Sequence, residues 1–192
     1  VRKAKMIANK NIELLSGLVT AERPLIGIEP SAILTFRDEY PDLATDQNLM
    51  AAHHLSVNSF YIDEFLAKEM ALGNITKDRF TTNTKSLLLH GHCQQKAIGS
   101  IADSVAVLSF PSNYKVETIP SGCCGMAGSF GYEKEHYDVS MQIGELVLFP
   151  KVRSSAGGCT VSAPGTSCRH QIKDGTGEKA LHPVEVLYDA LV

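Results

Sequence analysis

Two adjacent cysteines, Cys123 and Cys124, stand within the glycine-rich segment S-G-C-C-G-M-A-G-S-F-G. The flanking Gly122 and Gly125 let the backbone adopt unusual dihedral angles, so that both sulfurs can face one centre. We expect this turn to lie at or near a helix N-terminus, because a helical pattern follows it, and there the helix dipole favours thiolate over thiol. Thiolate is the form of cysteine that binds metals and attacks disulfides. The segment therefore predicts a metal or redox site, with a tight turn of small buried residues as the alternative.

The elements that must position these thiols alternate between short apolar runs and helical patterns. This alternation predicts an α/β fold, layered around a mainly parallel sheet that helices flank. Strands are expected over residues 86–90, 114–119 and 160–163, and each one is followed by cysteine. The cysteines that follow these strands are Cys93, Cys123, Cys124 and Cys168. Because the carboxyl ends of parallel strands meet at one edge of a sheet, we expect all four thiols to converge there.

The first part of the chain has a comparable but shorter pattern. A polar, threonine-rich stretch at residues 74–85 separates two predicted domains, residues 1–75 and residues 76–192. The N-terminal domain is expected to be an incomplete copy of the second one, which makes the fold an internal repeat. Further patterns predict a strand at 25–28 and helices at 6–19, 32–40 (capped by Ser31), 47–72, 94–108, 132–149, 168–173 and 184–191 (capped by His182).

Four thiolates are the number that binds one [4Fe–4S] cluster or one tetrahedral zinc ion. The paired Cys-x-x-Cys spacing of zinc ribbons is absent, which disfavours a zinc finger. The fifth cysteine, Cys159, precedes its strand rather than following it, and we interpret it as incidental.

Histidines and basic residues accompany the cysteines along the chain. His92 and His170 lie beside Cys93 and Cys168, and either one is a further ligand, a hydrogen-bond donor to the thiolates, or a histidine bonded to the backbone. His90 shares the strand face of His92 and has the same alternatives. Two basic residues near the thiols in sequence are expected to stabilise their negative charge, and these are Lys96 and Arg169.

Composition excludes several other classes of function. The 192 residues carry a net charge of −3, which provides no electrostatic basis for binding nucleic acid. No run of about 18 apolar residues occurs, so we expect no transmembrane segment. Five cysteines in a chain of this size favour reduced thiols and a cytoplasmic location, or one at the periphery of the inner membrane through partners. The chain starts at Val1 within a helical pattern, which we interpret as a piece of a longer protein.

Three motifs carry a family resemblance. They are H-G-H-C at 90–93, G-C-C-G-M-A-G-S-F-G-Y-E at 122–133 and P-G-T-S-C-R-H-Q at 164–171. Together they resemble the cysteine-rich CCG domain, which is also present in heterodisulfide reductase. The version that is most similar lies in the C-terminal region of FAD-linked oxidases, among them the glycolate oxidase iron–sulfur subunit and the D-lactate and D-2-hydroxyglutarate dehydrogenases.

This resemblance implies a role in electron transfer. FAD on another domain would oxidise a 2-hydroxy acid, and ferredoxin-like domains of the same protein would pass electrons toward an acceptor. The implied metal ligands are Cys93, Cys123, Cys124 and Cys168, which would hold an iron–sulfur cluster or zinc in its place. The chain alone is then expected to lack dehydrogenase activity.

The sequence departs from the family pattern at three positions. Gly165 stands where the general family has the first cysteine of a Cys-x-x-Cys pair, Ala32 replaces another cysteine, and Gln94 replaces a frequent histidine. These departures disfavour a cluster with five thiolates. A structural zinc-bound or metal-free module that binds partner subunits is the main alternative, and thiol–disulfide exchange at the adjacent cysteines is a third.

Overall fold

A computed structural model describes residues 1–192, which divide into two compact units, residues 1–65 and 66–192. The helices are α1 (Arg2–Leu15), α2 (Pro30–Ile33), α3 (Glu39–Leu43), α4 (Leu49–Val57), α5 (Ile62–Ala71), α6 (Cys93–Ile98), α7 (Ala102–Leu108), α8 (Tyr137–Leu146), α9 (Leu148–Ser154), α10 (Thr166–Thr176) and α11 (Pro183–Tyr188). The strands are β1 (Leu25–Gly27), β2 (Ser59–Tyr61), β3 (Lys85–Leu89), β4 (Tyr114–Thr118) and β5 (Thr160–Ser162). Every strand pairing is parallel, so the predicted α/β class is confirmed. The helices include none with the length and apolar character that a membrane span requires.

The first unit is built on the parallel pair β1 and β2, in which Leu25 is in register with Ser59. Its core contains fully buried apolar side chains of α1 and α4, including Ile12 and Leu55. Arg37 forms an ion pair with Glu64, and its Nε also donates to the Ser59 carbonyl at 2.8 Å. These contacts hold the start of α5 against the end of β2.

Two helix predictions in this unit are wrong. The pattern over residues 47–72 predicted one long helix, but β2 interrupts it and pairs with β1. The interrupting residues include two aromatics, which favour strands when a neighbouring strand is present to pair with. The helix expected at 32–40 is instead the short helix α2, a 3-10 turn and α3. Glu29, rather than Ser31, precedes the first helical residue, because Pro30 with its restricted φ occupies the first turn.

The second unit contains a three-stranded sheet in the order β4-β3-β5. In the central strand, Leu88 packs into one apolar cluster, while Leu87 and Leu89 pack into another. This alternation places β3 between two buried layers, as expected for a parallel sheet that helices cover on both faces. The strands predicted at 86–90, 114–119 and 160–163 are therefore confirmed as β3, β4 and β5.

Two of the helices predicted in the second unit are each divided into two shorter helices. The helix expected over 94–108 divides into α6 and α7, and the one expected over 132–149 divides into α8 and α9. α6 ends at Gly99, whose φ of −135° and ψ of −136° lie outside the helical region. The capping role predicted for His182 is confirmed, since its side chain accepts a hydrogen bond from the Val184 amide at 3.1 Å.

Candidate metal centre

All three strands of the second unit end at the same level of the sheet. Leu89, the last residue of β3, is in register with Thr118 of β4 and with Ser162 of β5. The segments that carry the cysteines begin directly beyond these positions. Cys93 is the first residue of α6, and Cys168 lies in the first turn of α10. The sheet edge thus collects side chains from three crossovers, as the topology predicted.

The four predicted cysteines form one continuous chain of contacts at this edge. The thiol of Cys93 hydrogen-bonds with Cys123, Cys123 with Cys124, and Cys124 with Cys168. Cys93 is exposed, whereas Cys124 is 3% and Cys168 1% exposed. None of the cysteines forms a disulfide. The structure therefore brings the four sulfurs together, with an exposed side and a buried side, and their role as metal ligands stays a prediction.

Hydrogen bonding along this chain shifts the pKa values of the four thiols in opposite directions. Hydrogen bonds from Cys124 and Cys93 hold the pKa of Cys123 well below its usual range. Hydrogen bonding with Cys124 lowers the pKa of Cys168 to about 5, although burial opposes the shift. The pKa of Cys93 and that of Cys124 are raised far above their usual range, chiefly by hydrogen bonding with Cys123. These shifts favour the thiolate form at Cys123 and Cys168 and the thiol form at Cys93 and Cys124.

His90 lies at the buried side of the cluster. Its side chain is completely buried, and its Nδ1 lies 2.7 Å from the Ser121 hydroxyl oxygen. A hydrogen bond with the His90 side chain also contributes to the lowered pKa of Cys168. A ring nitrogen of His90 and the sulfurs of Cys124 and Cys168 all lie within 4.8 Å of one another. A histidine that binds a metal through one nitrogen usually hydrogen-bonds through the other, so His90 has the surroundings of a ligand.

His92 has a different arrangement. Its Nδ1 accepts a hydrogen bond from the Gln94 amide at 3.2 Å, which caps α6. In the neutral ring the proton is therefore on Nε2, the nitrogen on the side of Gly165. A Cβ added at Gly165 would lie 2.4 Å from His92 Cδ2 and 3.2 Å from both His92 Nε2 and Cys168 Sγ. The His92 ring thus fills the space beside Gly165 and presents a donor, rather than a lone pair, toward the thiols.

Two further sequence predictions are placed outside the cluster. His170 is exposed, and its Nδ1 pairs with the Tyr132 hydroxyl at 2.7 Å. The Arg169 guanidinium donates to the carbonyl oxygens of Ala163 and Pro164, at 3.0 and 2.7 Å. Arg169 therefore stabilises the loop before α10.

Lys96 and Ser121 connect α6 to the cysteine turn. The Lys96 ammonium donates to the carbonyl oxygens of Ser121 and Gly122, at 2.6 and 2.9 Å. Burial lowers the pKa of Lys96 overall, although electrostatic interaction with the four cysteines opposes the shift. The sequence predicted Lys96 as a stabilising cation, but it contained no signal for Ser121 as the partner of His90.

The glycines of the turn have separate roles. Gly125 has a φ of +104°, and its amide donates to Cys123 Sγ at 3.3 Å. A Cβ there would lie 2.2 Å from the Ser140 carbonyl oxygen, so only glycine fits. Gly122 is exposed, and a Cβ there would meet no atom within 4 Å. Gly125 therefore shapes the turn, whereas Gly122 contributes through its carbonyl.

The cysteine that lies at a helix N-terminus is not one of the adjacent pair. The turn after β4 continues into a loop and a 3-10 helix, and α8 begins only at Tyr137. Ala127 and Gly128 both have positive φ, which directs the chain away from a helix after the cysteine pair. The prediction that Cys123 and Cys124 lie at a helix N-terminus is therefore wrong. Cys168 does lie in the first turn of a helix, where the dipole favours its thiolate.

Comparison with known proteins shows relatives that are all longer than this chain. D-2-hydroxyglutarate dehydrogenase of Escherichia coli strain K12 is 27% identical over 186 residues, which are 96% of this chain and 17% of that protein. The enzyme of the same name from Haemophilus influenzae is 27% identical over 198 residues, 100% of this chain and 18% of that protein. One subunit of the anaerobic glycerol-3-phosphate dehydrogenase of Escherichia coli strain K12 is 25% identical over 190 residues, 98% of this chain and 46% of that relative.

No protein-family model matches the chain, and no solved structure matches it. The similarity to the relatives nevertheless extends over 96–100% of the chain. The resemblance predicted from those motifs is confirmed: the chain is homologous to one region of D-2-hydroxyglutarate dehydrogenases and of an anaerobic glycerol-3-phosphate dehydrogenase subunit.

Proposed function

We propose that this chain binds an iron–sulfur cluster and transfers electrons as one domain of a larger FAD-dependent 2-hydroxy-acid dehydrogenase. The observation that carries the proposal is the continuous contact of four thiols that arrive from three separate strand ends. The relatives are dehydrogenases or one part of a dehydrogenase, which supports a redox role. The chain matches 17% of the length of the Escherichia coli D-2-hydroxyglutarate dehydrogenase, which supports a role as one part of a longer enzyme.

The donor set fits such a cluster. Cys93, Cys123, Cys124 and Cys168 would hold it, since soft thiolates are the ligands that iron–sulfur clusters prefer. Buried His90, which lies beside Cys124 and Cys168, would donate a hydrogen bond to a ligand sulfur of the cluster. A bound cluster supplies reversible one-electron transfer at this position.

The cysteines would determine from which side of the site electrons reach or leave the cluster. Cys124 and Cys168 exclude water from the inner side of the site, because both are almost completely buried. Cys93 is exposed and forms the outer side. Electrons would arrive from the flavin and ferredoxin-like domains of the same protein or leave to an acceptor through this exposed side.

One observation favours a second candidate function, a structural zinc site in a subunit-interaction module. His90, Cys124 and Cys168 form a compact group of one nitrogen and two sulfur donors, all within 4.8 Å of one another. Zinc accepts this mixture of ligands, and Cys123, which hydrogen-bonds with Cys124, would complete a tetrahedral set.

Anaerobic reconstitution with iron and sulfide distinguishes the two candidates. Iron and sulfide analysis and EPR would be performed on the wild-type chain, on Cys124→Ala and on Cys159→Ala. Cys159 provides the matched control, because it precedes β5 and so lies at the opposite end of that strand from Cys168. We expect about four irons in the wild type and in Cys159→Ala, with loss of the cluster in Cys124→Ala.

Two other results would change the conclusion. Stoichiometric zinc with no iron uptake in the wild type would support the structural module. Full iron content in Cys124→Ala would show that the cluster is bound elsewhere, and it would refute the assignment of the ligands.

A further inference from the structure

Lys96 binds the backbone of the turn that carries the adjacent cysteines. Its ammonium donates to the two consecutive carbonyl oxygens before Cys123, those of Ser121 and Gly122. Lys96 also follows Cys93 by three residues on α6, so the two side chains share one face of the helix. A Cβ added at Gly91 would lie 3.1 Å from Lys96 Cε, which shows that the aliphatic part of the lysine packs against the strand end.

No carboxylate neutralises this cation. The ion pairs of the structure involve Arg37, His136, Lys151 and Arg153, and Lys96 takes part in none of them. The groups that favour the charged form of Lys96 are the four cysteines of the cluster. A half-buried ammonium with only carbonyl partners is unfavourable unless negative charge lies nearby. The arrangement therefore joins one fixed positive charge to the thiol cluster.

We propose that Lys96 raises the reduction potential of the metal centre by stabilising its more negatively charged, reduced state. The inference rests on the proposed iron–sulfur function. One-electron reduction adds a negative charge to a site whose ligands are already anionic, and a nearby fixed cation makes that addition more favourable. The oxidised centre accepts one electron and no bond forms or breaks. Lys96 acts here as a positioning and charge-balancing residue, since its hydrogen bonds also hold the turn in place.

Variants of Lys96 distinguish the effect of its positive charge from the effect of its shape and hydrogen bonds. Lys96→Met removes the charge and the hydrogen bonds, Lys96→Gln removes the charge but keeps an N–H donor, and Lys96→Arg keeps the charge. Lys115→Met is the matched control, because Lys115 is exposed and lies near the opposite end of β4 from the cysteine turn. Each reconstituted protein would be titrated anaerobically with dithionite as the electron donor, and EPR would follow the reduced centre.

We expect the equilibrium constant for reduction to fall at least about tenfold in both neutral variants, which for one electron is a shift of about −59 mV. Lys96→Arg and Lys115→Met should retain the wild-type potential. A Lys96→Gln protein with full iron content and an unchanged potential would overturn the inference and leave the proposed function intact. If the wild type takes up no iron, the proposed function fails and this inference fails with it.

Loss of iron from the variants is also decisive. If both neutral variants lose the cluster while Lys96→Arg retains it, the result supports the inference, because cluster binding itself then requires a positive charge at position 96. If Lys96→Arg loses the cluster as well, the shape of lysine matters rather than its charge, and the inference is overturned.

Discussion

Replacing Gly165 with alanine tests the packing of His92 against Cys168. The added Cβ would lie 2.4 Å from His92 Cδ2 and 3.2 Å from Cys168 Sγ. Neither neighbour has room to move into solvent, because His92 is 5% and Cys168 1% exposed. We therefore expect Gly165→Ala to destabilise the protein and to disturb the metal site at the same time.

The expected loss of stability depends on which of two responses relieves this contact. Inserting one carbon into a packed interior costs about 1–3 kcal/mol of stability. If the His92 ring rotates away to relieve the contact, it loses the hydrogen bond that it accepts from the Gln94 amide, and losing a helix cap costs about 0.5–2 kcal/mol. These are alternative responses to one contact, so we expect a loss of about 1–3 kcal/mol in the free energy of unfolding.

Urea denaturation under anaerobic, reducing conditions with a metal chelator would measure this loss. Gly158→Ala is the matched control, because its added Cβ would approach no atom more closely than 3.7 Å and Gly158 is exposed. The control should change stability by less than about 0.5 kcal/mol. Equal stability of Gly165→Ala and wild type, together with equal metal uptake, would refute the close packing of His92 and Cys168.

Two further predictions concern the metal site. Ser121→Ala removes the hydrogen-bond partner of buried His90, and we expect it to weaken metal binding about 10–100-fold. The control is Ser129→Ala, which alters an exposed serine of the same loop and should leave metal binding unchanged. Isothermal titration calorimetry with zinc would compare the two variants. Because the pKa of Cys93 and that of Cys124 are raised, a metal that binds both sulfurs must displace about two protons, so zinc affinity should rise up to about a hundredfold per pH unit. Competition with a chelator at two pH values would measure that slope, and a pH-independent affinity would contradict the protonation states described above.

Local sequence patterns predicted the sheet of the second unit because each of its strands is a short apolar run. Leu87, Leu88 and Leu89 are buried on both faces of the central strand, so a continuous run of leucines is the expected signature. The convergence of the thiols could also be predicted, because parallel strands end at the same edge of a sheet whatever the details of packing.

Sequence patterns mispredicted secondary structure where the backbone departs from the helix that the periodicity of apolar residues indicates. β2 lies within a stretch of helical periodicity, and its strand conformation depends on pairing with β1, which lies more than 30 residues earlier in the chain. The break between α8 and α9 has a local cause instead: α8 ends at Leu146, and Pro150 four residues later can neither donate to the Leu146 carbonyl nor avoid a clash with it in a continuous helix. Helical periodicity in both stretches reports which faces are apolar, and it does not report where the backbone bends.

The sequence by itself determined the α/β class, the four cysteines and their position beyond three strand ends. These features depend on residue type and on the order of elements along the chain, and both can be read without coordinates. Only the tertiary structure decided that Ser121 partners His90, that His92 fills the space beside Gly165 and that Lys96 binds the cysteine turn. Those contacts join segments that lie far apart in the chain, and their distances depend on how the loops beyond the sheet pack against one another.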